Sequence, residues 1–177
     1  MLGILATDRN FGIAKEGRIP WNFPADLRFY QAMTTNRINW VSRTTFESLP
    51  EAVRTDPKRA YKILTSKPQD EFEYSFNQVN PSILSNDHIL IGGLKAYDEL
   101  LLKCSCVFHT LIASNRDCDQ FLNNEATLDW FPHRMCLLQT SSFAIDVYYK
   151  HSASIPEDTL AKIASLQPLI SFSRQLT

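Results

Sequence analysis

Short, largely apolar runs alternate with stretches of helical spacing along most of this chain, and that alternation limits the folds open to it. Residues 2–6 read as a strand covered on both faces, and residues 38–41, 61–64, 88–91 and 106–112 read as further strands, 38–41 a poor one because of Asn39. Helical stretches fall between them at 24–35, 42–49 and 94–102, the first opening on Pro24, a residue suited to a first helical turn. This order predicts an α/β fold with a single-domain, mostly parallel twisted sheet and helices on both faces. Residues 135–138 and 143–149 read as two more strands with no helix between them, so an antiparallel C-terminal edge is expected. Residues 7–17 and 67–86 read as loops, the second with one further strand or turn of helix. Leu160, Ile163 and Leu166 give a modest helical pattern near the end.

The chain has 177 residues, 44% of them hydrophobic, which suffices for one well-packed core. Lys and Arg number 18 against 19 Asp and Glu, a formal charge of -1, so nothing draws the whole molecule to nucleic acid or to an anionic membrane. Any anionic ligand must be met by local charge. Cys104, Cys106, Cys118 and Cys136 lack zinc-site spacing and a histidine cluster, so reduced thiols and no metal are expected. The opening residues carry no leader pattern, and a cytoplasmic protein is expected.

Three groups of residues could carry chemistry. Asp26 stands among Trp21, Phe23, Leu27 and Tyr30, and a carboxylate among such side chains needs a partner. A flat ligand offering two N–H groups would satisfy both its oxygens. An ordinary acid in a first helical turn is the competing reading. Ser42-Arg43-Thr44-Thr45 would offer amides, hydroxyls and one cation to a phosphate. Gly92-Gly93, between a buried strand and a helix, would allow a ligand close to the backbone, although a tight turn explains the pair equally well. Arg59 could meet a carboxylate or lie solvated in its charged loop. No G-x-G-x-x-G follows the first strand, so an ordinary dinucleotide fingerprint is absent.

Taken in order, Ile19-Pro20-Trp21-Asn22-Phe23-Pro24-Ala25-Asp26-Leu27, Arg43-Thr44-Thr45-Phe46-Glu47-Ser48-Leu49-Pro50, Arg59, Thr65-Ser66, Ile91-Gly92-Gly93 with Tyr97, and Thr110 closely resemble dihydrofolate reductases. The resemblance covers about residues 1–150, which sets a reductase-like domain there and a C-terminal extension at 151–177. It implies NADPH-dependent reduction of 7,8-dihydrofolate, with Asp26, Trp21 and Thr110 at the reacting ring. Asp26 would hold the pterin, and Thr110 would assist through a water. Ile4, Leu5, Ala6, Leu27, Tyr30, Leu49 and Ile91 would line the substrate cleft, and Arg59 would take the glutamate carboxylate. Ala6, Ile13, Ile19, Thr44, Thr45, Gly92, Gly93, Leu94, Lys95, Ala96 and Tyr97 would contact the cofactor. Arg43, Ser66 and Lys67 would favour its 2′-phosphate. Dihydrofolate and antifolates are the implied ligands and a monomer the implied state, with assembly through the tail as the alternative.

The chain departs from the family pattern at four places. Ala14 and Ser42 stand where Gly is usual, Asp56-Pro57-Lys58 stands where Leu-Pro-Gly is usual, and Asn39-Trp40 is an odd filling for a strand. If residue 14 needs a positive φ, alanine costs roughly 1 kcal/mol there. These departures keep a second reading open: a reductase fold that binds folate or nucleotide with little or no turnover, or that serves a structural role.

Overall fold

The side chains of β1 (Leu2–Thr7) point alternately into two apolar clusters, one on each face of the central sheet. In the computed structural model, which describes residues 1–70, 73–122, 126–151 and 155–171, Leu2 and Ile4 enter the first cluster and Leu5 the second. β6 (His88–Gly92) divides likewise, with Ile89 and Ile91 on the first face and Leu90 on the second. In β7 (Cys106–Ile112), Phe108 and Ile112 take the first face and Val107 the second.

These strands form the middle of an eight-stranded sheet with the order β5-β4-β3-β6-β1-β7-β10-β9. The other members are β3 (Arg37–Ser42), β4 (Arg59–Thr65), β5 (Glu73–Ser75), β9 (His133–Gln139) and β10 (Phe143–Tyr149). All pairings from β5 to β7 are parallel, and β10 runs antiparallel to both β7 and β9. The mostly parallel sheet with an antiparallel C-terminal edge is as the sequence implies. The unparsed stretch 67–86 supplies β5 and two short 3-10 turns. The loop after β1 holds one more strand, β2 (Gly12–Ala14), paired with β8 (Gln120–Phe121).

α1 (Pro24–Thr34) and α6 (Glu157–Ser171) cover the first face, and α4 (Leu94–Leu100) covers the second. The stripe of α1 that enters the core is Ala25, Phe29 and Met33, one residue in every four. Of the side shared at helical spacing by Leu27, Tyr30, Gln31 and Thr34, Leu27 is 51% exposed and Gln31 is exposed, Tyr30 is half-buried and only Thr34 is buried, so this side is a rim that meets the core at its last turn. Two short helices, α2 (Arg43–Ser48) and α3 (Glu51–Arg54), connect β3 to β4, and α5 (Ala126–Asp129) precedes β9.

The odd strand filling at 39–40 has a physical reason. Asn39 is fully buried, and its amide donates to the carbonyls of Thr34, Arg37 and Ala60, tying the end of α1 to β3 and β4. Trp40 fills the second core, and its indole N–H reaches His88 Nδ1 at 3.1 Å. His109, on the same face, is buried beside Thr7, and burial pushes its pKa down to about 4.

The C-terminal segment docks on the body of the domain. Ile155, Ile163 and Leu166 join the first core cluster, whereas Leu160 is 43% exposed and does not. Arg37, whose side chain is 2% exposed, bonds Asp158 Oδ2 at 2.7 Å and Thr159 Oγ1 at 2.8 Å. The last turn of α1 is held too, since Lys162 Nζ donates to the Thr35 carbonyl at 3.3 Å. Replacing Ile163 by Ala is expected to cost about 2–3 kcal/mol in urea unfolding, and Leu160→Ala about 0.5 kcal/mol or less. Equal small effects at both positions would show that the segment contributes nothing to the core.

Candidate active site

Asp26 sits in the first turn of α1, where Pro24 at the helix start and the buried Ala25 fix the direction of the chain. Thr110 lies on β7 between Phe108 and Ile112 on the same face, so the strand's alternation aims it at α1. Its hydroxyl donates to Asp26 Oδ1 at 2.6 Å. Burial raises the Asp26 pKa above the ordinary carboxylate value, and the bond from Thr110 lowers it in part. The indole N–H of Trp21 is buried without a partner. A buried donor of that kind fits a water or a ligand atom.

From Asp26 to Thr35 the axis of α1 rises by roughly 13 Å. Tyr30 lies between them, and Leu49, Phe46 and Tyr61 pack with it at the margin of the first core. Ile4 and Ile91 form the floor within that core. At the far end stands Arg59, its side chain 6% exposed, bonded through Nη2 to Thr35 Oγ1 at 3.3 Å. Its Nη1 lies 3.6 Å from Asp56 Oδ2, and its Nε is buried without a partner. A carboxylate in the first turn of α1 and a guanidinium at its last turn thus flank the apolar margin formed by Tyr30, Phe46, Leu49 and Tyr61. Leu5 must be removed from the cleft lining, because alternation along β1 puts its side chain in the opposite core. Ala6 is half-buried on the Ile4 side of the strand.

A second set of residues gathers at the carboxyl ends of β3 and β6, where α2 and α4 begin. Gly93 has φ 96°, a conformation that favours glycine, and a Cβ there would stand 2.1 Å from Ser42 Oγ. Ser42 thus fills the notch beside Gly93. It also caps α2, accepting from Thr45 N at 3.3 Å and donating to Thr45 Oγ1 at 3.0 Å. Thr44 is exposed and Leu94 half-buried, both at the openings of these helices. Register sets Ser42 opposite Leu64, so α2 begins with Arg43 where β3 ends, and the exposed Ser66 and Lys67 follow the end of the neighbouring β4. Arg43 is bonded to Glu73.

The side chains of three residues that the resemblance sets at the cofactor are engaged within the fold. Ala96 is fully buried in the second core, because it lies on the inner face of α4. Tyr97 is buried with it and donates to the Ile4 carbonyl at 2.9 Å, so it braces β1. The Lys95 ammonium lies 4.5 Å from the centre of the Phe76 ring, where a cation–π contact holds it. Ile13 packs against the second core, and Ile19 is 64% exposed.

Two carboxylates hold the loop that carries Ile13 and Ile19. Asp8 accepts from the backbone N–H of Asn10, Gly12 and Arg116, each at 2.8 Å. Asp119 Oδ2 accepts from Glu16 N at 2.7 Å. The residues of this loop with positive φ are Phe11, Glu16 and Gly17, and Ala14 is not among them. Alanine at 14 therefore carries no left-handed strain; it lies in β2 opposite Gln120.

The dihydrofolate reductase profile matches residues 1–141. The chain is 30% identical to the dihydrofolate reductase of Haemophilus influenzae over 135 residues, 72% of this chain and 81% of that protein. The chain belongs to the dihydrofolate reductase family. It is also 30% identical over 143 residues to the bifunctional dihydrofolate reductase-thymidylate synthase of Zea mays, covering 67% of this chain and 27% of that longer protein. Among solved structures, it resembles the Enterococcus faecalis dihydrofolate reductase complexed with NADP(H) and RAB-propyl, with a TM-score of 0.61 and 26% identity. That match covers 84% of this chain and 94% of the other.

Several residues that shape the family cleft in this chain escape a reading of the sequence. Thr35 and Asp56 hold Arg59, yet only Asp56 has a signal, as an acid where the family has Leu. Glu73 falls in the unparsed stretch and has none. Asp8 is legible in principle, as an acid at the start of a polar loop, where its side chain can close a turn on Asn10.

Since burial raises the folded-state pKa of Asp26, its contribution to stability is present at low pH and is lost as pH rises through that pKa. At pH 7–8 the ionised group costs stability. Asp26→Asn keeps an acceptor for Thr110 and is expected to stabilise the protein at pH 7–8 by on the order of 1 kcal/mol, read as a higher thermal midpoint, with less gain at pH 4. Thermal melts at the two pH values check this; a variant destabilised at pH 8 would contradict it.

Proposed function

We propose that this protein reduces 7,8-dihydrofolate to 5,6,7,8-tetrahydrofolate with NADPH as hydride donor. The observation that carries the reading is the half-buried Asp26 carboxylate, held by Thr110 at 2.6 Å, beside a buried Trp21 N–H that has no partner. A flat pterin presents adjacent N–H groups at N3 and the 2-amino substituent, and the two carboxylate oxygens can accept from both. The apolar middle of the cleft suits the benzoyl ring, and Arg59 suits the terminal carboxylate of the tail. Antifolates with the same ring edge would compete for Asp26.

The fit to a nicotinamide nucleotide rests on Gly93, Ser42 and Thr45, where the starts of α2 and α4 come into contact. Unpaired N–H groups at such helix starts favour phosphates, and Arg43, Ser66 and Lys67 lie at the adjoining strand ends. The bound cofactor supplies the hydride that C6 of the pterin accepts. The chain does the rest. Asp26 fixes the ring and, as an anion on N3 and the 2-amino group, makes N5 more basic. Thr110 steadies the carboxylate. The Trp21 N–H can hold a water that brings the proton to N5. Asp8 and Asp119 anchor the loop that follows β1, and closure of that loop over the bound ligands would limit entry of bulk water.

One observation favours a second reading. Ser42 fills the notch beside Gly93 that a cofactor would approach, which fits a protein that binds ligand and turns over slowly or not at all. Loss of NADPH absorbance with dihydrofolate separates the two. We expect turnover in the wild type and a loss of about 100-fold or more in Asp26→Asn at pH 7. The variant's rate should recover as pH falls from 8 to 5, because solution protonation of the substrate replaces the missing carboxylate. Calorimetric binding of NADPH and methotrexate without turnover would favour the second reading, and equal turnover by wild type and variant would reject the mechanism.

A further inference from the structure

The cation best placed for a cofactor's outer phosphate already carries an anion. Arg43 starts α2 at the end of β3, and its guanidinium bonds the carboxylate of Glu73 at the start of β5. Register brings them together. Ser42 pairs with Leu64 on β4, and Ile63, one residue before it, pairs with Glu73. The Glu73 side chain is 3% exposed and that of Arg43 is 35% exposed. The second Glu73 oxygen accepts from Gln69 N at 2.6 Å, so the carboxylate is tied both to Arg43 and to the turn after Ser66 and Lys67. The Gln69 N–H, and after it Arg43, hold the Glu73 carboxyl below the usual range. A fixed anion therefore stands against Arg43, one of the three residues expected to grip a 2′-phosphate, and is tied to the turn that follows the other two.

We infer that Glu73 is a cofactor-specificity residue, which compresses the preference for 2′-phosphorylated nicotinamide nucleotides so that NADH serves nearly as well as NADPH. The inference rests on the reductase reading and concerns the same site. A phosphate dianion can bind Arg43 only by drawing it from Glu73 or by sharing it. Drawing it away leaves a buried carboxylate without its cation, and a charge so stranded is costly. Sharing it places a dianion against a fixed anion. A ribose with a free 2′-hydroxyl requires neither. The exposed edge of Arg43, with Ser66 and Lys67, still offers the phosphate a contact, so the preference is reduced and not reversed.

Calorimetric titration of NADP+ and NAD+ at one fixed salt concentration tests this without turnover. The wild type is expected to prefer NADP+ by less than about tenfold, the worth of one weak charged hydrogen bond. Glu73→Gln keeps an acceptor for Gln69 N and removes the charge; it should tighten NADP+ by about tenfold and leave NAD+ within about twofold. The KM values for NADPH and NADH should separate in the same sense. A wild-type preference of about a hundredfold or more overturns the inference even if the variant fails to fold. Equal tightening of both nucleotides, or no change in either, overturns it too and leaves the reductase reading standing. If the wild type binds neither nucleotide, the reductase reading falls with it.

Discussion

A single hydrogen bond, from Thr110 on β7 to the half-buried carboxylate of Asp26 on α1, ties the chemistry of this molecule to its fold. Helix and strand are far apart in sequence, and only the packing of Ala25, Phe29 and Met33 against the first face of the sheet brings them together. The carboxylate is held where desolvation works against its charge. A group kept there is destabilising unless a ligand completes its hydrogen bonds, which is the usual condition of a binding carboxylate. The unpartnered Trp21 N–H alongside it has the same character.

The sheet's two-faced core explains how the remaining parts reach the cleft. Residues on the Ile4 side of β1 share the face on which Asp26 and Thr110 meet, whereas Leu5 and His109 are committed to packing on the reverse side. Arg59 and Arg43, the two arginines at the ligand-facing ends, are each met by an acid of the chain, Asp56 and Glu73. Such pairing removes the cost of a desolvated guanidinium when no ligand is bound. It also means that any anionic ligand must compete with an internal carboxylate. Asp56 is the weaker competitor, being more exposed and farther from its arginine than Glu73.

Most of the fold is legible in the residues themselves. Continuous apolar runs mark the parallel strands, and Pro24 marks the start of α1, because both effects are local. The segment 67–86 resists reading, since β5 is three residues long and gains its order from β4 beside it. Which side of α1 faces the core is likewise not local. Leu27 and Tyr30 look as apolar as Ala25 and Phe29, and only the position of the sheet decides between them. At the site, Asp26, Thr110 and Arg59 come from family-like motifs, while the acids paired with the arginines depend on tertiary contacts that no motif carries. Asn39 shows the reverse case: a residue that looks wrong for a strand is held through its Nδ2 by carbonyls of α1, β3 and β4 that the sequence cannot place.

The account stands on an Asp26 carboxylate that is desolvated and steadied by Thr110. Carboxyl carbon NMR across pH, in wild type and in Thr110→Val, measures both properties at the one residue. The account predicts an apparent pKa for Asp26 above the ordinary 3.8, rising further when the Thr110 hydroxyl is removed. A value at or below 3.8 that does not move in Thr110→Val would contradict it.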